Sequence, residues 1–219
     1  MVKIMDLIVF NEQNVLEYIE KIINDTKKNS IDIEDAKYHH NSSYMNGLSI
    51  LKNGILSLVE LDRLGIRKMS YQTLNVMGDI ESHINGNDGI SLSVVGLTDL
   101  YRDEFEYDPF QESLVDFLIS NDIKVYRRSI HYGNEYIANK CIEVNKIKSI
   151  DIRLLKYLNN IDSKEKIDAL IQKYNSLIEM SARIKNCGLN ITIREMSDEN
   201  NISLDIDKLY ELPRLVLRR

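Results

Sequence analysis

Few residues of this chain have the type and spacing that chemistry needs. The histidines are His39, His40, His83 and His131. His39 and His40 are adjacent, and neighbours on a strand point to opposite sides, so the pair does not chelate one ion. No His-Glu-x-x-His pattern is present, and Cys141 and Cys187 are too few for a cysteine zinc site or a disulfide scaffold. Both cysteines are expected as small, partly buried core residues. Neither GxxxxGK(S/T) nor GxGxxG occurs, and there is no GxSxG elbow, so phosphate-loop, dinucleotide-fold and serine-hydrolase readings have no support. Three separated pieces remain. Tyr38-His39-His40-Asn41-Ser42-Ser43 precedes Ser49-Ile50-Leu51-Lys52-Asn53-Gly54-Ile55. The second piece is Asp88-Gly89-Ile90-Ser91-Leu92-Ser93-Val94, and the third is Asn134-Glu135-Tyr136-Ile137, followed by short apolar stretches.

In kind and order these pieces resemble the ADP-ribosyltransferase superfamily, of the bacterial or phage effector and toxin type, from Tyr38 to Ile152. The resemblance implies an α+β fold, with a split antiparallel sheet and flanking helices clamping NAD in a cleft as substrate. Glu135 is then the catalytic carboxylate. It stabilises an oxocarbenium-like transition state as nicotinamide leaves. His39 shares that catalytic set and bonds ribose or pyrophosphate oxygens, with Asn41 beside it. Ser91 or Ser93 supports the pocket or the carboxylate. A tyrosine ring stacks on nicotinamide, with Tyr101, Tyr107, Tyr132 and Tyr71 as candidates. Of Arg127 and Arg128, one can bind the pyrophosphate, and Arg127 is assigned that position.

The departures from the family narrow its acceptor. The position two before Glu135 is Gly133, not an acidic residue or Gln, so protein arginine is not the implied acceptor. The tRNA 2′-phosphotransferases need a second basic cluster that does not accompany Arg127 and Arg128. The middle motifs of the DNA-modifying toxins are not visible. The implied partners are NAD and an intracellular macromolecule, protein or nucleic acid. Two alternatives stand beside transfer: an inactive module binding a nucleotide or partner, and an NAD glycohydrolase with water as acceptor.

Each residue also has a plainer reading. His39 could be a hydrogen-bonded core histidine, and Glu135 a solvated strand-end residue. Ser91 and Ser93 could face solvent or bond backbone. Tyr101 and Tyr107 sit in an acidic stretch whose default is an exposed loop.

The elements that must position these residues follow from periodicity. Residues 14–23 place Val15, Ile19, Ile22 and Ile23 on one helical face, with Asn11 as candidate cap. Lys27–Lys37 reads as a linker, and Tyr38–Asn41 as a strand. Ser42 or Ser43 caps a following helix that Asn53-Gly54 ends. Weaker helical patterns cover Ser57–Leu64 and Tyr71–Ile84, and 85–89 is a turn. Alternation marks Ile90–Val94 as a strand. Asp108-Pro109-Phe110-Gln111 reads as the start of a helix carrying Leu114, Phe117 and Leu118 inward. Lys124–Ser129, Glu135–Ala138, Ile142–Val144, Ile147–Ile152 and Ile191–Met196 are strand candidates. Ser163–Asn186 is the longest helical pattern. The expected organisation is an N-terminal helix and linker (1–37), a core (38–152), and a C-terminal helix, strand and tail packed on it (153–219).

Composition frames this. The chain has 219 residues, 43% hydrophobic and 28% charged, as soluble globular proteins do. The net charge of -6 argues against broad electrostatic binding to nucleic acid or an anionic membrane. No apolar run reaches the roughly 18–20 residues of a membrane span, and Met1–Phe10 lacks the length and cleavage site of a signal peptide. A cytoplasmic protein is expected, with no membrane partner.

Overall fold

A computed structural model describes residues 7–10, 12–30, 33–66, 89–94, 114–127, 135–158, 161–196 and 201–217. In chain order these form β1 (Leu7–Phe10), α1 (Glu12–Thr26), β2 (Lys27–Ser30), β3 (Ala36–Ser43), α2 (Tyr44–Asn53), β4 (Ile55–Leu56) and α3 (Leu58–Arg63). Then come β5 (Gly89–Ser93), β6 (Leu114–Ser120), β7 (Val125–Arg127), β8 (Glu135–Asn139), β9 (Cys141–Ile142) and β10 (Ile147–Ile152). The last elements are α4 (Leu154–Leu158), α5 (Lys164–Asn186), β11 (Thr192–Met196), β12 (Asn201–Leu204), α6 (Ile206–Glu211) and β13 (Arg214–Leu217).

The fold is α+β, with helices packed on a large, mostly antiparallel sheet of order β2-β12-β11-β10-β6-β3-β5-β8-β7. Within it β10 and β11 run parallel. Two small sheets, β1-β13 and β4-β9, lie beside it. The large sheet is unevenly knit. β3 and β6 pair along seven positions, from Ala36↔Ser120 to Ser43↔Leu114. By contrast, among the described residues β3 and β5 share the single register pair His39↔Ser93.

Alternation sorts the strands into two faces. Register puts Tyr38, His40, Phe117, Ile119, Ile150 and Ile193 on one of them. Its apolar members join the buried stripes of α1 and α5 in one core. The α1 stripe is Val15, Ile19, Ile22 and Ile23, as its spacing predicts. α5 buries Leu170, Tyr174, Leu177, Ile178 and Ile184. Ser163 caps it, accepting the Lys166 N–H at 3.3 Å, and Gly188 follows it at φ 59. α2 crosses α5 where Gly47 lies against the Met180 thioether, which would have to shift to admit a Cβ. Gly54 ends α2 at φ 83, with the Ile142 carbonyl where a Cβ would stand, so glycine is required there twice over.

Several expectations change. Leu114, Phe117 and Leu118 lie on strand β6, not on a helix. β6 is central between β3 and β10, and residues 115–120 are all buried. A strand buried on both faces loses its alternation and reads as an apolar run of ambiguous period. The expected linker carries β2 and the first residues of β3. Ser43 holds the cap position of α2 without a side-chain capping bond. Both cysteines are exposed, not core: Cys141 is on the short strand β9, and Cys187 sits past the last turn of α5. The patterns at Tyr71–Ile84 and Asp108–Gln111 lie outside the described residues, as does Asn11. No described helix is long and apolar enough to cross a membrane.

Glu195 ties α4 to the sheet. It is buried on β11, and its two carboxylate oxygens accept the N–H groups of Leu154 at 3.1 Å and Leu155 at 2.9 Å. Burial pushes its pKa up to about 8, against those two bonds, which favour the anion. The folded value thus lies above the ordinary 4.5. The folded state holds the proton more tightly, so this contribution to stability is complete below pH 4.5 and is lost as pH rises towards 8. Glu195→Gln should flatten the fall in urea midpoint between about pH 5 and 8, a slope of at most about 1.4 kcal/mol per pH unit for one proton. An unchanged slope in the variant would contradict this.

Candidate active site

The second face of the sheet is polar. Register places residues that stand opposite one another on the same face. One row runs Glu135 on β8, Ser93 on β5, His39 on β3, Leu118 on β6, Ser149 on β10 and Thr192 on β11. The next row runs Asn41, Asp116, Asp151, Arg194 and Ser203 across β3, β6, β10, β11 and β12. Three of the residues singled out in the sequence, His39, Ser93 and Glu135, therefore share one row on neighbouring strands. Asn41 lies two residues from His39 on the same face. Ser91 is on this face too, one position along from Ser93 and opposite Ile137.

His39 is held from behind. Its Nδ1 lies 2.7 Å from Asp116 Oδ2, with 16% of the imidazole side chain and 4% of the aspartate exposed. A carboxylate only accepts, so Nδ1 carries the proton. Burial disfavours charge on the ring. The Asp116 hydrogen bond and charge, with Asp151 behind them, outweigh burial and the opposing Arg194, and His39 titrates above its ordinary 6.5. Asp151 has its own partner. Arg194 Nε and Nη2 donate to its two oxygens at 2.8 and 2.6 Å, and Ser149 Oγ donates to Oδ1 at 2.8 Å. Both members of that pair are buried. Asn41 Oδ1 is buried and has no hydrogen-bond partner among the described residues.

His40 faces the other way, as strand geometry requires. Its Nδ1–H donates to the Ser91 carbonyl at 3.2 Å, and burial pushes its pKa down. On the same side Tyr38 and Tyr136 meet edge to face, with ring centroids 5.4 Å apart. The register partner of Arg127 on β7 is Tyr136, one residue past Glu135. Tyr101 and Tyr132 lie outside the described residues, as do Tyr71, Tyr107, Arg128, His83 and His131. Among the described residues no group of three or more His, Cys, Asp or Glu could hold a metal ion.

Asp116, Asp151 and Arg194 escaped the sequence reading. A signal was present in each case, since a charged residue inside an apolar strand must be paired when buried. Asp116 sits in Leu114-Val115-Asp116-Phe117-Leu118, Asp151 in Ile150-Asp151-Ile152, and Arg194 in Ile193-Arg194-Glu195.

No family model matches the chain, and no curated protein matches it. Among solved structures the chain is similar to Thermosipho africanus DarTG in complex with ADP-ribose, at 12% identity and a TM-score of 0.40. The match covers 71% of this chain and 49% of that one, so the chain spans about half of that protein's length.

Asp151 anchors the polar row, and removing it strands a guanidinium. Asp151→Ala leaves Arg194 buried beside no carboxylate of its own, and a loss of about 3–5 kcal/mol in urea unfolding is expected. A loss under about 1 kcal/mol, the level of an exposed pair, would show that the pair is solvated.

Proposed function

We propose that the chain is an NAD-dependent ADP-ribosyltransferase that modifies an intracellular macromolecule, protein or nucleic acid, and releases nicotinamide. The observation that carries this reading is the shared row of His39, Ser93 and Glu135 on β3, β5 and β8. Each comes from a different piece of the sequence resemblance. Among the described residues the row also crosses the single register pair that joins β5 to β3.

The chemistry asks little of a protein beyond charge placed well. The bond from ribose to nicotinamide breaks, and its electron pair leaves with the neutral nicotinamide. The ribose carbon takes on oxocarbenium-like character. An acceptor oxygen or nitrogen bonds to that carbon and gives up its proton. Glu135 supplies the carboxylate that stabilises the developing positive charge. His39 holds ribose or diphosphate oxygens, and Ser93, between them, supports the carboxylate. The buried Asn41 amide oxygen fits a ligand hydroxyl, the kind of donor its surroundings do not supply among the described residues.

The test is Glu135→Gln, which keeps size and removes charge. Nicotinamide release from NAD should fall about a hundredfold or more, with the circular dichroism spectrum unchanged. Full activity would remove Glu135 from its role. Label from NAD on a macromolecule marks transfer. Nicotinamide release without label marks water as the acceptor, and NAD glycohydrolase as the activity.

A further inference from the structure

We infer that Asp116 is the positioning residue of this site. It takes the Nδ1–H of His39 and leaves Nε2 to meet an anionic oxygen of the nucleotide diphosphate. The inference rests on the nucleotide reading above. Its own support is the row behind His39, which that reading does not use.

Consider the charges in that row. Asp116 and Asp151 stand opposite each other on β6 and β10, and both are buried. Arg194, on β11 beyond Asp151, engages both oxygens of Asp151. Among the described residues His39, 2.7 Å from Asp116, supplies a positive charge to that carboxylate when its ring is protonated. The raised titration of His39 has this same origin.

The charge state decides what His39 can bind. With Nδ1–H given to Asp116, a neutral ring offers only a lone pair at Nε2, which diphosphate oxygens cannot use. The imidazolium offers Nε2–H as a charge-assisted donor, which they can. No described residue takes Nε2. The other charged or titratable groups facing His39 among the described residues are Asp116 on β6, Asp151 on β10 and Arg194 on β11. Glu135 on β8 shares the row, with Ser93 between them.

Two readouts on the full chain test this separately from the proposed function. The first needs no nucleotide. The His39 ring is followed by NMR through a pH titration, its signals assigned by their loss in His39→Ala. The midpoint should lie above 6.5 and fall by about 1 pH unit or more in Asp116→Asn. A wild-type midpoint at or below 6.5, or one that Asp116→Asn leaves in place, overturns the inference. If Asp116→Asn does not fold, the wild-type midpoint decides alone.

The second readout is affinity for NAD and for ADP, which keeps the diphosphate without nicotinamide. Both should bind more weakly as pH rises through the His39 midpoint. Adenosine should show no such dependence. Asp116→Asn should weaken NAD binding about tenfold at low pH, and less than twofold in the His39→Ala background. An equal loss in both backgrounds would mean that Asp116 acts by some route other than His39, and would overturn the inference. A raised His39 midpoint that Asp116→Asn lowers, in a protein that binds neither NAD nor ADP, would instead overturn the nucleotide reading, and with it the assigned ligand of Nε2.

Discussion

Asp116 and Asp151 face each other across β6 and β10 with almost no exposure, and the architecture around them follows from that burial. A carboxylate taken out of water is expensive unless a cation and hydrogen bonds accompany it. The flanking strands supply these. β11 brings Arg194 in a two-bond clasp on Asp151, β10 adds Ser149, and β3 brings His39 to Asp116. A slip of one residue in any of these pairings would send a charged side chain to the apolar face. The polar row therefore specifies the register of β3, β6, β10 and β11 as firmly as the core on the other side does.

His39 is where that structural row meets the candidate chemistry. It is tied inward to Asp116, and it is the residue of β3 that pairs with β5. Whatever fixes the imidazole also fixes the only described register pair joining the two portions of the sheet. Ser93 is the other member of that pair, and Glu135 lies beyond it. The opposite face carries Tyr38, Phe117, Ile119 and Ile150 into the core, so one strand serves both packing and the site by alternation alone.

Much of this was legible in the sequence where a local rule applied. The stripes of α1 and α5, the Gly54 stop and the alternation of β5 each depend on neighbours a few residues away. The three pieces holding His39, Ser93 and Glu135 could be picked out, but not their alignment, which is set by pairings between strands far apart in sequence. β6 was misread because a central strand shows no alternation. The phase of β7 against β8, which sets Arg127 opposite Tyr136, is likewise not given by local sequence rules. Asp116 is hidden for the same reason as β6: once its segment reads as helix, the aspartate loses its place opposite Asn41.

The most direct measurement is a backbone amide shift map of the full chain titrated with NAD. The largest changes should fall at His39, Asn41, Ser93 and Glu135 and on the residues next to them, across three strands that share a row and little sequence. Saturating NAD that moves none of these amides, or moves only amides elsewhere, would contradict the assignment of this face as the nucleotide site.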